Sequence, residues 1–303
     1  MVVVRQPRVR NLLGALLAVV MLAGCTTTTG PTPAPKPDFT KPGAAADIVN
    51  QLMAQIGSTR VVRVRLTAAE AEVSVVSGTS VVTYAWRDNQ ISPVDTDVQY
   101  VGQALFDPRE FNLANLGDLF DRAAAVAGSA QGQQLQVVDF DSGHIYMTVT
   151  TNPETMPVFF FPDGTLVATF DPANQADLAA VLGAVLPQTG NIVRLGVDTD
   201  GSVYADQPAG PGQILHVVRS PRFPVTQQLK TDGSGVVPFS PAAITAGVIG
   251  NLVSRAAAHT GKEVSNGFSV VIEQRAADAA PAATVVIGAK TVRLTLSGVI
   301  LGG

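Results

Sequence analysis

One cysteine, Cys25, and three histidines, His144, His216 and His259, are the residues in this 303-residue sequence with the most direct access to nucleophilic or metal chemistry. A thiolate is a strong nucleophile and a soft metal ligand, but a lone one needs a base or further ligands beside it. No two histidines lie three or four positions apart, so no metal pair is set up on one helix face. The sequence holds no G-x-S-x-G elbow, no Walker loop and no G-x-G-x-x-G turn. The histidines therefore read as strand or surface residues with ordinary partners. Asp198-Thr199-Asp200-Gly201, with Asp206 downstream, has part of a calcium loop but lacks its third early ligand and its distal Glu. Asp-Gly between two strand runs is a strong hairpin signal, so a turn is expected there, and likewise at Asp139, Asp141 and Gly143. These absences predict no catalytic residue, no metal and no cofactor.

Cys25 has a different chemistry available. Arg5, Arg8 and Arg10 precede an apolar run from Leu12 to Leu22 with no acidic residue, and Leu22-Ala23-Gly24-Cys25 follows directly. This is the layout of a signal peptide spanning residues 1–24. The run is about half the roughly 20 residues a membrane-crossing helix needs. Leu22, Ala23, Gly24 and Cys25 together resemble the lipobox of bacterial lipoproteins. That resemblance implies diacylglyceryl attachment to the Cys25 sulfur, cleavage after Gly24 and acylation of the new amino terminus. Several acyl chains make a lasting anchor where one gives marginal binding, so the expected location is the outer face of the cytoplasmic membrane. Residues 25–43, rich in Thr and Pro, lack the apolar residues to fold and read as a tether.

Beyond Cys25 the chain has about 280 residues, enough for one large or two medium domains. Without the leader's three arginines, 17 basic residues face 24 acidic ones, a net charge of about −7. Nucleic acid is therefore not an expected partner, because phosphate binding needs clustered positive charge. Only five lysines occur among abundant Ala, Val, Gly and Thr, a bias that fits a GC-rich, actinobacterial genome. With Cys25 taken by lipid no disulfide is available, so stability must come from apolar burial.

Repetition is the strongest internal signal. Phe39, Phe106, Phe170 and Phe239 each open a short signature in which Thr, Asp or Ser precedes Pro, and they lie 67, 64 and 69 residues apart. A polar cap followed by proline predicts a helix start. Amphipathic patterns follow over residues 45–56, 115–127, 172–186 and 241–258, each with an apolar face. Behind each helix come β-type runs broken by turn residues. The expected fold is α+β, built of tandem repeats of one helix followed by a three- to four-stranded antiparallel meander. Four units pair into two domains, 44–170 and 171–303. The first unit carries about eleven extra residues near Gln90 to Gly102, a candidate binding loop.

Tyr84 and Trp86 share one strand face and align, at an offset of 75, with Phe159 and Phe161. These aromatics are expected either beneath the helices or as a patch on the open sheet face, where Tyr84, Trp86 and Arg87 form the candidate binding surface. The element order resembles the PepSY-type domains and the β-lactamase inhibitory protein family, whose tandem units present a concave sheet to a partner protein. No motif carries an inhibitor contact residue across. The resemblance and the missing catalytic residues imply a lipid-anchored binding, adaptor or inhibitor-like module acting on another envelope protein. The alternative is a carrier or binder of lipid or glycolipid, marked by an apolar cavity of several hundred Å³. A carboxylate-only enzyme is the third and weakest reading.

Overall fold

The computed structural model describes residues 37–87, 89–232, 235–264 and 267–302. The leader, the Leu22-Ala23-Gly24-Cys25 motif and Asp88 lie outside the described residues. The protein is α+β, with two seven-stranded antiparallel sheets and four α-helices among the described residues. Helix α1 (Ala44–Ile56) is followed by β1 (Arg63–Leu66), β2 (Ala71–Ser77), β3 (Ser80–Arg87) and β4 (Gln90–Val94). Helix α2 (Leu116–Ala127) is followed by β5 (Gln134–Asp141), β6 (His144–Thr150) and β7 (Val158–Phe160). Helix α3 (Gln175–Val185) precedes β8 (Arg194–Val197), β9 (Val203–Gly210), β10 (Gln213–Arg219) and β11 (Val225–Thr231). Helix α4 (Ala246–Thr260) precedes β12 (Phe268–Glu273), β13 (Ala282–Ile287) and β14 (Lys290–Thr295).

Both sheets have one topology. The first runs β4-β3-β2-β1-β5-β6-β7 and the second β11-β10-β9-β8-β12-β13-β14. In each, two meanders meet through their first strands, β1 against β5 and β8 against β12, both antiparallel. Alternation along the strands sends one set of side chains towards the helices. In the first sheet these are Val64 and Leu66, Val73 and Val75, Leu135 and Val137, and Met147 and Val149, closed over by Leu52, Leu116 and Leu119. The second core has Leu195, Val217, Ile272, Val285 and Leu294 beneath Leu182, Ile249 and Leu252.

The Phe signatures act one step earlier than the sequence suggests. Asp107 accepts from Arg109 N at 3.0 Å and caps a 3-10 turn at Pro108–Glu110, not α2. Ser240 likewise caps a 3-10 turn at Pro241–Ala243, and Thr245 then caps α4 through Val248 N. At α3 the cap is Asn174, which accepts from Ala176 N and Asp177 N. Each Asp or Ser before proline starts a turn that delivers the chain to the true cap a few residues on. Phe39 lies in the stretch read as tether, yet it is buried edge-on against Trp86 with ring centroids 5.2 Å apart. The folded part therefore begins before Ala44, because a buried aromatic pair outweighs the polar, Pro-rich composition around it.

Candidate functional site

Tyr84, Trp86 and Arg87 do not form one surface. Trp86 is 9% exposed and belongs to the helix-side core, with Tyr84 packed against the same cluster. Arg87 points the other way and donates to Glu72 at 2.8 Å. The expectation of a binding patch at these three residues is thus corrected: alternation puts both aromatics under α1, where Phe39 closes over Trp86. The alignment with Phe159 and Phe161 is one residue out. In β7 it is Val158 and Phe160 that join the helix-side core, while Phe159 sits on the opposite face with Tyr146 and Val167. A slip of one residue reverses every side chain on a strand.

Phe159 and its neighbours form a row of aromatic rings on the face of the first sheet away from the helices. Phe140 stacks edge-on against Phe159 and Tyr146 at 5.1 and 6.0 Å, Tyr146 meets Phe161 at 5.9 Å, and Phe159 meets Phe223 at 5.8 Å. Phe223 belongs to the β10–β11 turn, so this row of rings joins the outer face of the first sheet to the second. Asp141 strengthens the join by accepting from the backbone N–H of Gln227 on edge strand β11. Phe161 and Phe223 remain 42% and 43% exposed.

Beside the rings lies a cleft of about 390 Å³. Its walls are Tyr146, Phe161, the 166–170 segment, one side of α3 and the start of β11. Arg219, the last residue of β10, is the one cation among the lining residues and is 8% exposed. Its Nη1 donates to Ser220 O at 2.8 Å and its Nη2 to Ala168 O at 2.6 Å, while its guanidinium lies 5.5 Å from the Phe170 ring centroid. No carboxylate forms an ion pair with it among the described residues; Asp177, also on the wall, accepts instead from Asp171 N at 2.9 Å. Burial lowers the Arg219 pKa from its ordinary value, partly offset by Tyr146, whose own pKa burial raises.

Two further polar cells sit at matching positions of the two sheets. In the first, Arg63 faces Ser74, which faces Thr83; in the second, Arg194 faces Asp206, which faces His216. Asp206 accepts from Arg194 at 3.4 Å and lies 2.6 Å from His216 Nδ1, and Arg194 also reaches Glu273 at 3.3 Å. Tyr204 lies flat over Gly196, where an added Cβ would stand 2.2 Å from the ring, and burial, with Asp198 next, pushes its pKa up to about 12. In the first cell Ser74 and Thr83 bond each other at 2.8 Å, which leaves the buried Arg63 Nε without a partner; Asp97 is 3.7 Å from its Nη1. The second cell is a closed ion network on a strand surface, whereas the first pairs two hydroxyls beside an arginine left partly unbonded.

The remaining candidates are turns and ordinary surface residues. Asp198 to Ser202 is a tight turn in which Asp200 caps Ser202 N and Gly201 takes φ +84°. His144 contacts Asp141 O within its own hairpin at 3.0 Å, and His259 lies in the last turn of α4. No group of three or more His, Cys, Asp or Glu residues is placed to hold a metal among the described residues. No helix among them is long and apolar enough to cross a membrane. Of the extra residues near Gln90 to Gly102, Gln90–Val94 form edge strand β4; the chain then runs back to Phe106, which bridges Val61 two residues before β1, and Ala104 N donates to Asp139 on the way.

No family model matches the chain, and no curated protein matches it. Among solved structures it is similar to the DNA polymerase III subunit beta from Pseudomonas aeruginosa. The identity there is 10%, over 87% of this chain and 64% of that one, with a TM-score of 0.15. It is similar at the same level to the Helicobacter pylori beta clamp in complex with 5-chloroisatin, at 10% identity over 86% and 62% of the two chains and a TM-score of 0.16. The chain spans less than two thirds of the length of these solved chains. Likeness at such TM-scores carries nothing about activity or partners.

Proposed function

We propose that this chain is a binding module of the bacterial cell envelope, lipid-anchored through Cys25 on the extracytoplasmic face, and that it acts by recognition without catalysis. Its four helix-plus-meander units are tandem repeats paired into two domains, and the surface that does the recognising is where the domains meet. The ligand is a lipid or another amphiphile. The observation that supports this reading is the cleft beside the aromatic row: about 390 Å³, walled mostly by apolar groups, within the range of small-molecule sites. A peptide would bring amide groups into walls that offer few partners for them, which an apolar chain does not.

A second reading, an adaptor for another envelope protein, is favoured by one feature, the exposed rings of Phe161 and Phe223 on the rim. Purification of the full-length tagged protein from envelope membranes in mild detergent, with mass spectrometry of all co-eluting species, separates the two. A stoichiometric lipid beyond the covalent anchor is expected. A stoichiometric protein partner without lipid would replace the first reading by the second.

A further inference from the structure

Arg219 has no carboxylate within ion-pairing distance among the described residues. A buried cation is ordinarily paired, because desolvating it costs several kcal/mol that only a close anion or a full set of hydrogen bonds returns. Arg219 is 8% exposed and ion-paired to nothing among the described residues, where its guanidinium donates to two backbone carbonyls. A guanidinium carries five N–H donors, so those two carbonyls leave three unspent. Arg194 and Arg293, also partly buried, each have a carboxylate within ion-pairing distance. Arg219 differs from them in lining a cleft whose other walls are mostly apolar.

We propose that the cleft binds a single-chain fatty carboxylate, its carboxylate on the free N–H groups of Arg219 and its hydrocarbon chain along Phe170, Val181 and Phe161. This assignment rests on the amphiphile-binding reading above and deepens it. The head group is a monoanion because the lining offers one positive charge, and Asp177 on the same wall disfavours a second negative charge. One chain fits better than two, since about 390 Å³ lies near the low end for small-molecule sites. Arginine suits a carboxylate in particular, since its fork matches the two oxygens. Ala180 and Ala184 on α3 keep that wall low, which leaves room for the chain.

The test uses the purified full-length protein in detergent, titrated with palmitate and with methyl palmitate at pH 8, following displacement of an environment-sensitive fluorescent fatty acid. Palmitate is expected to bind at least roughly tenfold more tightly than its uncharged ester, as a charge-assisted contact implies. Arg219→Gln should abolish that preference, bringing acid and ester to equal affinity. Ala184→Phe, on the exposed side of α3, should weaken both without touching the cation, which covers the case of Arg219→Gln failing to fold. Equal affinity for acid and ester overturns the proposal, and so does palmitate binding that survives both substitutions. If palmitate fails to bind while a different lipid still co-purifies from the envelope, this assignment falls and the amphiphile-binding reading stands. If no lipid co-purifies either, both fall.

Discussion

Asp206→Ala is the perturbation whose cost follows most directly from the geometry. The carboxylate is 3% exposed and serves two partners, His216 Nδ1 at 2.6 Å and Arg194 at 3.4 Å. Removing one member of a buried ion pair costs about 3–5 kcal/mol, because the other is left charged and desolvated. Two features reduce that figure here. Arg194 keeps Glu273 at 3.3 Å and its side chain is 25% exposed, so it is never wholly orphaned. His216, whose side chain is 19% exposed, can turn to water for a partner. The expected loss is therefore about 2–3 kcal/mol, and Asp206→Asn, which keeps an acceptor, should cost about half as much. The assay is urea unfolding followed by far-UV circular dichroism, which reports both sheets, together with fluorescence of Trp86, the single tryptophan, which reports the first sheet alone. A double-mutant cycle with His216→Ala should return a coupling of about 1 kcal/mol or more. A loss below about 0.5 kcal/mol, or zero coupling, would refute the claim that this cell is a tight buried network.

Other substitutions test separate parts of the structure. Tyr204 has its pKa raised from 10.0 to about 12, so the unfolded chain releases this proton first and stability is lost as pH rises from about 10 to 12. Tyr204→Phe should remove about 2 kcal/mol of that alkaline loss, read from melts at pH 9 and pH 11.5, and an unchanged pH slope would contradict it. Arg63→Met removes the buried, unbonded Nε and should raise stability by about 1 kcal/mol in urea unfolding; a loss of that size would mean the guanidinium is well paired. Gly117→Ala in α2 would gain about 1 kcal/mol from helix propensity, but its Cβ would stand 2.6 Å from the Thr40 backbone oxygen. The clash should dominate, giving a net loss of 1 kcal/mol or more, and a higher melting temperature would show that the 40–43 segment yields.

The helices were legible because each carries an apolar face long enough to show its period. The 45–56 and 115–127 patterns lie within a residue of α1 and α2 at their ends, while α3 and α4 begin later, after the turns that Pro172 and Pro241 start. Strand faces were less legible. Val158, Phe159, Phe160 and Phe161 are apolar without interruption, so nothing in the pattern marks Phe160 as the core residue and Phe159 as the outer one. Trp86 read equally as core or surface because Arg87 and Asp88 follow it at a turn, and what decides it is Phe39, 47 positions earlier, which covers it. The cleft was invisible for a stronger reason. Arg219 bonds Ala168, 51 residues away, and Phe159 meets Phe223, 64 residues away, contacts that only the packing of two sheets creates. The one local hint was a charged residue following Val217 and Val218 just before Ser220-Pro221.

The proposed recognition at the membrane surface requires first that Cys25 be acylated, and intact-mass spectrometry of the native protein extracted from membranes reads this directly. The expected species begins at Cys25 and is heavier than the bare polypeptide by one diacylglyceryl group and one further acyl chain. A chain that still carries residues 1–24, or one that begins at Cys25 with a free thiol, would contradict the account.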